Sequence, residues 1–149
     1  MKNFELHDLD TAPKMSIESL QNVKEQVGFI PNVFATISES PKALNGLLEL
    51  NSAFGSSSFT AEEQQIILLA TSTENECIYC VEADTAFGKS IGIDENIISN
   101  MRNKKMTSNN RFNTLTRTVR ELIRTRGRIS TNQLEQFFIE GFSKEQFLE

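Results

Sequence analysis

The stretch ENECIYCVEAD, residues 74–84, holds both cysteines of the chain, Cys77 and Cys80, with carboxylates on either side. A helix is expected to begin at these cysteines and run to about Ile91, where Gly92 stops it. Helical spacing then lines Cys77, Cys80, Asp84, Phe87 and Ile91 along one stripe, while Glu82 points away into solvent. The first N–H groups of a helix lack partners and its dipole is positive there, so a thiolate in the first turn is stabilised. Two thiols so placed give a nucleophile and its resolving neighbour. The thiolate attacks a peroxide O–O bond or a disulfide, and the second cysteine closes an intramolecular disulfide before the first over-oxidises. Two other readings stay open. The pair could be small core residues, since free cysteine is often buried. It could be half of a metal site, but tetrahedral zinc needs two more N or S ligands, and only His7 and carboxylates remain. Neither a metal nor a cofactor is therefore expected.

The elements around the pair read as helices throughout. An amphipathic run over 14–27 passes through Ile17, Leu20, Val23 and Val27 and ends at Gly28. A short helix is expected over Pro31–Ser38, with proline in its first turn. Another opens at Ser40-Pro41, with Gly55 placed just past its end. Thr60 and Glu63 form a capping box for a helix containing IILLA, Ile66–Ala70. That helix is apolar on most faces and is expected to be the central, most buried one. Asp94 caps ENIISNM, NKKMTSNN is a polar loop, and RFNTLTRTVRELIRTR is a helix ended by Gly127. Ser130 with Gln133 and Ser143 with Gln146 are two further capping boxes. No convincing period-2 strand and no internal repeat are present. The expected class is all-α, a single domain over 1–149 of seven or eight helices, with 1–13 as an N-terminal arm and His7 on its surface.

Composition narrows the function. The chain has 149 residues, 38% of them hydrophobic, with eleven Phe, no Trp and three Pro. That length is enough for a real core. Net charge is −5, so the protein as a whole is no polyanion binder. Residues 102–128, however, carry nine Arg or Lys against Glu121 alone, a local +8. Arg117, Arg120, Arg124 and Arg128 share one helical face, expected to be solvated, to meet another subunit, or to dock an acidic partner domain. Nucleic acid is not expected as a partner, because aromatic residues do not interleave with the basic ones. MKNFELHDLD has no apolar h-region and no run approaches membrane-spanning length, so a soluble cytoplasmic protein with no membrane partner is expected. The phenylalanines of 137–147 look hard to bury in so short an end, which points to a homo-oligomer.

The segment IILLATSTENECIYCVEADTAFGKSIGID resembles the core of the carboxymuconolactone decarboxylase family, and more closely its AhpD-like, alkylhydroperoxidase or peroxidase-related branch. VGFIPNVFATISESPKALNGLLEL and ELIRTRGRISTNQLEQFFIEGFSKEQFLE are similar to the segments that flank that core, so the resemblance covers nearly the whole chain. It implies an all-helical, trimeric or hexameric protein that reduces hydroperoxides at the expense of a dithiol or protein reductant. It also implies that the second cysteine meets the peroxide, while the first resolves it and exchanges with the reductant. The family pattern adds a Glu twelve residues before the first Cys and a His four residues after the second, relaying protons to the thiols. Here those positions are Gln65 and Asp84, so both depart from it. The candidate catalytic set is Cys77, Cys80, Asp84 and Gln65. Gln65 carries no titrating proton and can only orient a thiol or water. An ionised Asp84 raises the thiol pKa by like-charge repulsion, whereas a buried, protonated Asp84 can donate as a general acid. The departures leave a second class of reading, a weakly active or non-catalytic oligomeric binding protein of the same fold. A lactone decarboxylase is less favoured, because that activity leaves the cysteine pair unexplained.

Overall fold

Side-chain caps set most of the helix starts. The structure, a computed structural model, describes residues 4–149, and every regular element among them is a helix. The α-helices are α1 Ile17–Val27, α2 Asn32–Ile37, α3 Pro41–Gly55, α4 Ala61–Glu74, α5 Ile78–Ser90, α6 Glu95–Arg102, α7 Asn110–Arg124, α8 Thr131–Ile139 and α9 Lys144–Leu148. The all-α class is thus as expected, and the additional helix is the C-terminal turn α9. All three capping boxes form, at Thr60/Glu63, Ser130/Gln133 and Ser143/Gln146. Gly55 differs from expectation. It is the last residue of α3 rather than a left-handed residue beyond it.

The chain divides into two compact units, residues 1–54 and 55–149. In the first, Ala12, Leu20 and Leu44 form a core against which Leu9, Ile17, Ile30, Phe34, Ile37 and Leu48 pack. The segment before α1 is part of this packing rather than a free arm, since Ala12 is buried. His7 is likewise buried, not on the surface. Its backbone N–H donates to Ala35 O at 3.3 Å, and its Nε2 meets Glu39 Oε2 at 2.6 Å. The other ring nitrogen, Nδ1, lies 3.4 Å from Thr11 Oγ1, so both nitrogens of the covered imidazole have partners, which is what burial demands.

In the second unit α4 is the central helix, packed against α5, α6 and α7. It buries Ile66, Leu69 and Ala70, as its apolar run foretells, together with the polar residues Glu63, Gln65, Ser72 and Thr73. The C-terminal phenylalanines are not left exposed. Phe137 stacks on Phe142 with centroids 4.5 Å apart, Phe147 meets Phe137 edge-on at 5.7 Å, and Phe59 joins at 6.2 Å from Phe142. The Arg111 guanidinium covers the Phe142 ring at 3.7 Å while its Nε donates to Glu63. Phe137 and Phe142 are buried as a result, and the inference of self-association from these rings lapses. The large apolar side chains that remain exposed include Leu68 on α4 and Ile78, Tyr79 and Phe87 on α5. Among the described residues no helix is long and apolar enough to cross a membrane.

Candidate active site at the α4–α5 turn

The two cysteines sit where two helices meet in a three-residue turn, Asn75-Glu76-Cys77. Asn75 ends α4. Glu76 takes the left-handed conformation at φ 55°, and Cys77 caps α5. The Cys77 N–H donates to Ser72 O at 3.1 Å and the Glu76 N–H to Thr73 O at 3.4 Å. These are the two bonds of a Schellman closure, so one pair of hydrogen bonds ends α4 and fixes where α5 begins.

Cys77 is therefore the N-cap residue, at ψ 93°, and its sulfur accepts the Cys80 N–H at 3.4 Å. Cys77 and Cys80 are joined by a disulfide, with Cα atoms 5.3 Å apart. Both residues are half-buried rather than core. The core reading of the pair is thus set aside. No group of three or more His, Cys, Asp or Glu able to hold a metal ion occurs among the described residues.

The expected stripe along α5 is only partly covered. Cys77, Cys80, Asp84 and Ile91 are half-buried, but Phe87 is 58% exposed and α5 buries Gly88 alone completely. Glu82 lies on the other face, as expected, and pairs with Arg102 through two bonds of 3.1 and 2.6 Å. A cavity of about 350 Å³ on that face is lined by Ile78, Val81, Glu82 and Arg102. Glu76 of the turn also lines it, but neither cysteine nor Asp84 does.

Gln65 and Asp84 come together, although not as a relay to the thiols. The Gln65 side-chain amide donates to the backbone carbonyl of Asp84 at 2.7 Å. Its Cγ lies 3.5 Å from the position a Cβ on Gly88 would take, so α5 approaches α4 closely at this glycine. Gln65 thus ties α5 to α4 instead of orienting a sulfur. The Asp84 carboxylate takes its hydrogen bond from a residue that the sequence did not single out, Ser72, whose hydroxyl donates to Oδ2 at 2.5 Å. Burial pushes the Asp84 carboxyl above its ordinary value of 3.8, and the Ser72 and Gln65 side chains pull it partly back. Ser72 is also the residue whose carbonyl holds the Cys77 N–H. A single buried side chain and its own backbone therefore connect the carboxyl to the disulfide turn. The available signal was the helical period: Gln65 and Ser72 are seven residues apart on one face of an otherwise apolar helix.

No family model and no curated protein sequence matches the chain. Solved structures do. A peroxidase-related protein from Silicibacter sp. TM1040 superposes with a TM-score of 0.83 at 18% identity, over 98% of this chain and 78% of that one. A peroxidase-related protein from Ralstonia eutropha JMP134, described as an alkylhydroperoxidase AhpD core, superposes with a TM-score of 0.85 at 21% identity, over 97% and 78%. The likeness extends over nearly all of this chain, and what it establishes is the fold: the chain has the AhpD-like helical fold.

Proposed function

We propose that the protein is a thiol-dependent hydroperoxide reductase that cycles the Cys77–Cys80 disulfide. The observation that carries this reading is the disulfide itself, closed across the first turn of α5 with both cysteines half-exposed. In the reduced protein the Cys80 thiolate attacks one oxygen of a hydroperoxide. The O–O bond breaks, Cys80 becomes a sulfenic acid, and the alkoxide leaves and takes a proton. The Cys77 thiolate then attacks the Cys80 sulfur, forming the disulfide and displacing hydroxide, which takes a proton and leaves as water. A dithiol reductant attacks Cys77 and is itself oxidised to a disulfide, returning both cysteines to thiols. The N-cap position suits Cys77 to the second step, because the Cys80 N–H that donates to its sulfur favours its thiolate. With no titrating group at position 65, the acid on the same face of α5 as Cys80 is Asp84, one turn further along the helix.

A second reading, a weakly active or non-catalytic binding protein, is favoured by the Gln65 amide being spent on a backbone carbonyl. One assay separates the two. Peroxide consumption with a small dithiol is measured for the wild type and Cys80→Ser. The reductase reading expects turnover that the variant loses. Equal, near-background rates in both would falsify it in favour of the binding protein.

A further inference from the structure

Away from the disulfide, the second unit gathers cations at one place. A cavity of about 260 Å³ lies between the loop after α6 and one face of α7, with Lys104, Lys105, Arg117, Arg120 and Arg124 in its lining and Glu121 as the one acid there. Beside it Glu74, at the end of α4, is largely covered. It is approached by Arg124 at 2.7 Å, Lys104 at 3.7 Å and Arg120 at 3.9 Å. Two carboxylates against five cations leave three positive charges uncompensated. Among the described residues neither Lys105 nor Arg117 has an ion-pair partner.

Arg120 is the unusual member. It is only 8% exposed. Its Nη2 donates to Met101 O at 3.1 Å and lies 3.5 Å from Thr73 Oγ1. Its Nε is buried with no hydrogen-bond partner, and Glu74 at 3.9 Å is too far to accept from it. Burial works against the charged form of this guanidinium. Arg120 lines the cavity, and a guanidinium this well covered, with its nearest carboxylate beyond hydrogen-bond distance, is costly unless further negative charge comes close to it.

We propose that this cavity binds a small oxyanion of at least two negative charges, a phosphate or dicarboxylate group, seated against Arg120 and gripped by Arg117 and Lys105. Guanidinium forks match the spacing of phosphate and carboxylate oxygens, which makes arginine the residue suited to such groups. The volume is below that of most drug-sized sites and suits one anionic group with a few further atoms. A small ligand is favoured over a macromolecule because the uncompensated charge is concentrated around a concave space rather than spread along a surface.

The test titrates the full-length protein with inorganic phosphate, pyrophosphate and malonate against sodium chloride of equal ionic strength. Heat and the Arg120 Nε–H resonance are both followed. Saturable binding that moves that resonance is expected, weakened about tenfold or more in Arg117→Ala and in Lys105→Ala. Peroxide turnover in both variants should stay at the wild-type level. The tighter of the phosphate and malonate arms identifies which oxyanion is the ligand. A response no larger than that to chloride, an unmoved resonance, or wild-type affinity in both variants overturns the proposal. Binding of only a large polyanion, an acidic protein or nucleic acid, overturns it equally.

Discussion

Asp84 and Glu74 are two carboxyls of the same unit, ten residues apart in sequence, and their surroundings push them in opposite directions. Asp84 is half-buried with a hydroxyl and no cation, so desolvation dominates and its pKa rises. Glu74 receives two hydrogen bonds from Arg124, with Lys104 and Arg120 nearby, so its pKa falls despite its burial. Burial alone therefore does not decide the charge of a carboxyl; the presence of a guanidinium within reach does. The Asp84 surroundings favour a carboxyl that can hold a proton beside the disulfide turn. The Glu74 surroundings fix a permanent charge that holds α4 to α7.

The largest effect should come from removing the Glu74 charge. Glu74→Gln leaves the covered Arg120 without the one carboxylate it pairs with among the described residues, at a cost of about 3 kcal/mol, read as a lower urea midpoint. Arg124 is 57% exposed and contributes little to that figure. The pH dependence has a definite sign. A carboxyl with a depressed folded pKa contributes stability that is fully present above its ordinary 4.5 and is lost as pH falls through the folded value. Acid titration should thus narrow the gap between wild type and Glu74→Gln. A gap of equal size at pH 3 and pH 7 would show that Glu74 acts through packing rather than charge.

A smaller effect is expected at Asp84, and with the opposite pH dependence. Its folded pKa is raised, so its neutral form contributes stability that is complete below 3.8 and erodes as pH rises through the folded value. Asp84→Asn should therefore be about as stable as wild type in acid and up to about 1 kcal/mol more stable near neutrality. Ser72→Ala should cost about 1–2 kcal/mol near neutrality, because the ionised carboxyl then loses its donor, and should push the Asp84 pKa higher still. If Asp84 influences the thiols, the pH profile of alkylation of the reduced protein will shift in Ser72→Ala and shift more in Asp84→His. Superimposable profiles for all three proteins would remove Asp84 from the chemistry and leave it a structural carboxyl.

How far each region was legible in the sequence follows from how local its physics is. The caps at Thr60, Asp94, Ser130 and Ser143 involve residues two or three apart, and all form where the pattern places them. The helix start at Cys77 is legible for the same reason. Arg117, Arg120 and Arg124 were legible as a face, but a helical period cannot distinguish a solvated face from one that is paired and buried. The acid that meets Arg124 is fifty residues away, and the rotation of α7 against α4 decides that Arg120 is covered. His7 misled for the same reason, its carboxylate partner lying thirty-two residues on. Gln65 and Asp84 were both identified, but their actual bonds depend on the register between α4 and α5. That register also brings in Ser72, which no short motif marks.

The smallest expected effect lies in the turn between the two carboxyls. Glu76 occupies the C′ position of the Schellman closure at φ 55°, where glycine is the usual residue. An L side chain there brings Cβ close to the following carbonyl oxygen, a strain of roughly 1–2 kcal/mol. Glycine removes the clash but loses more backbone entropy on folding, which takes back about 0.5–1 kcal/mol. The balance favours Glu76→Gly by about 0.5 kcal/mol, a small rise in the urea midpoint with an unchanged slope. Glu76 is exposed and its carboxyl has no ion-pair partner among the described residues, so little else should change. If Glu76→Gly is instead clearly destabilised, a contact of its side chain outweighs the strain. The turn would then be held by more than its two backbone bonds, and a side chain would link the end of α4 that carries Glu74 to the helix that carries Asp84.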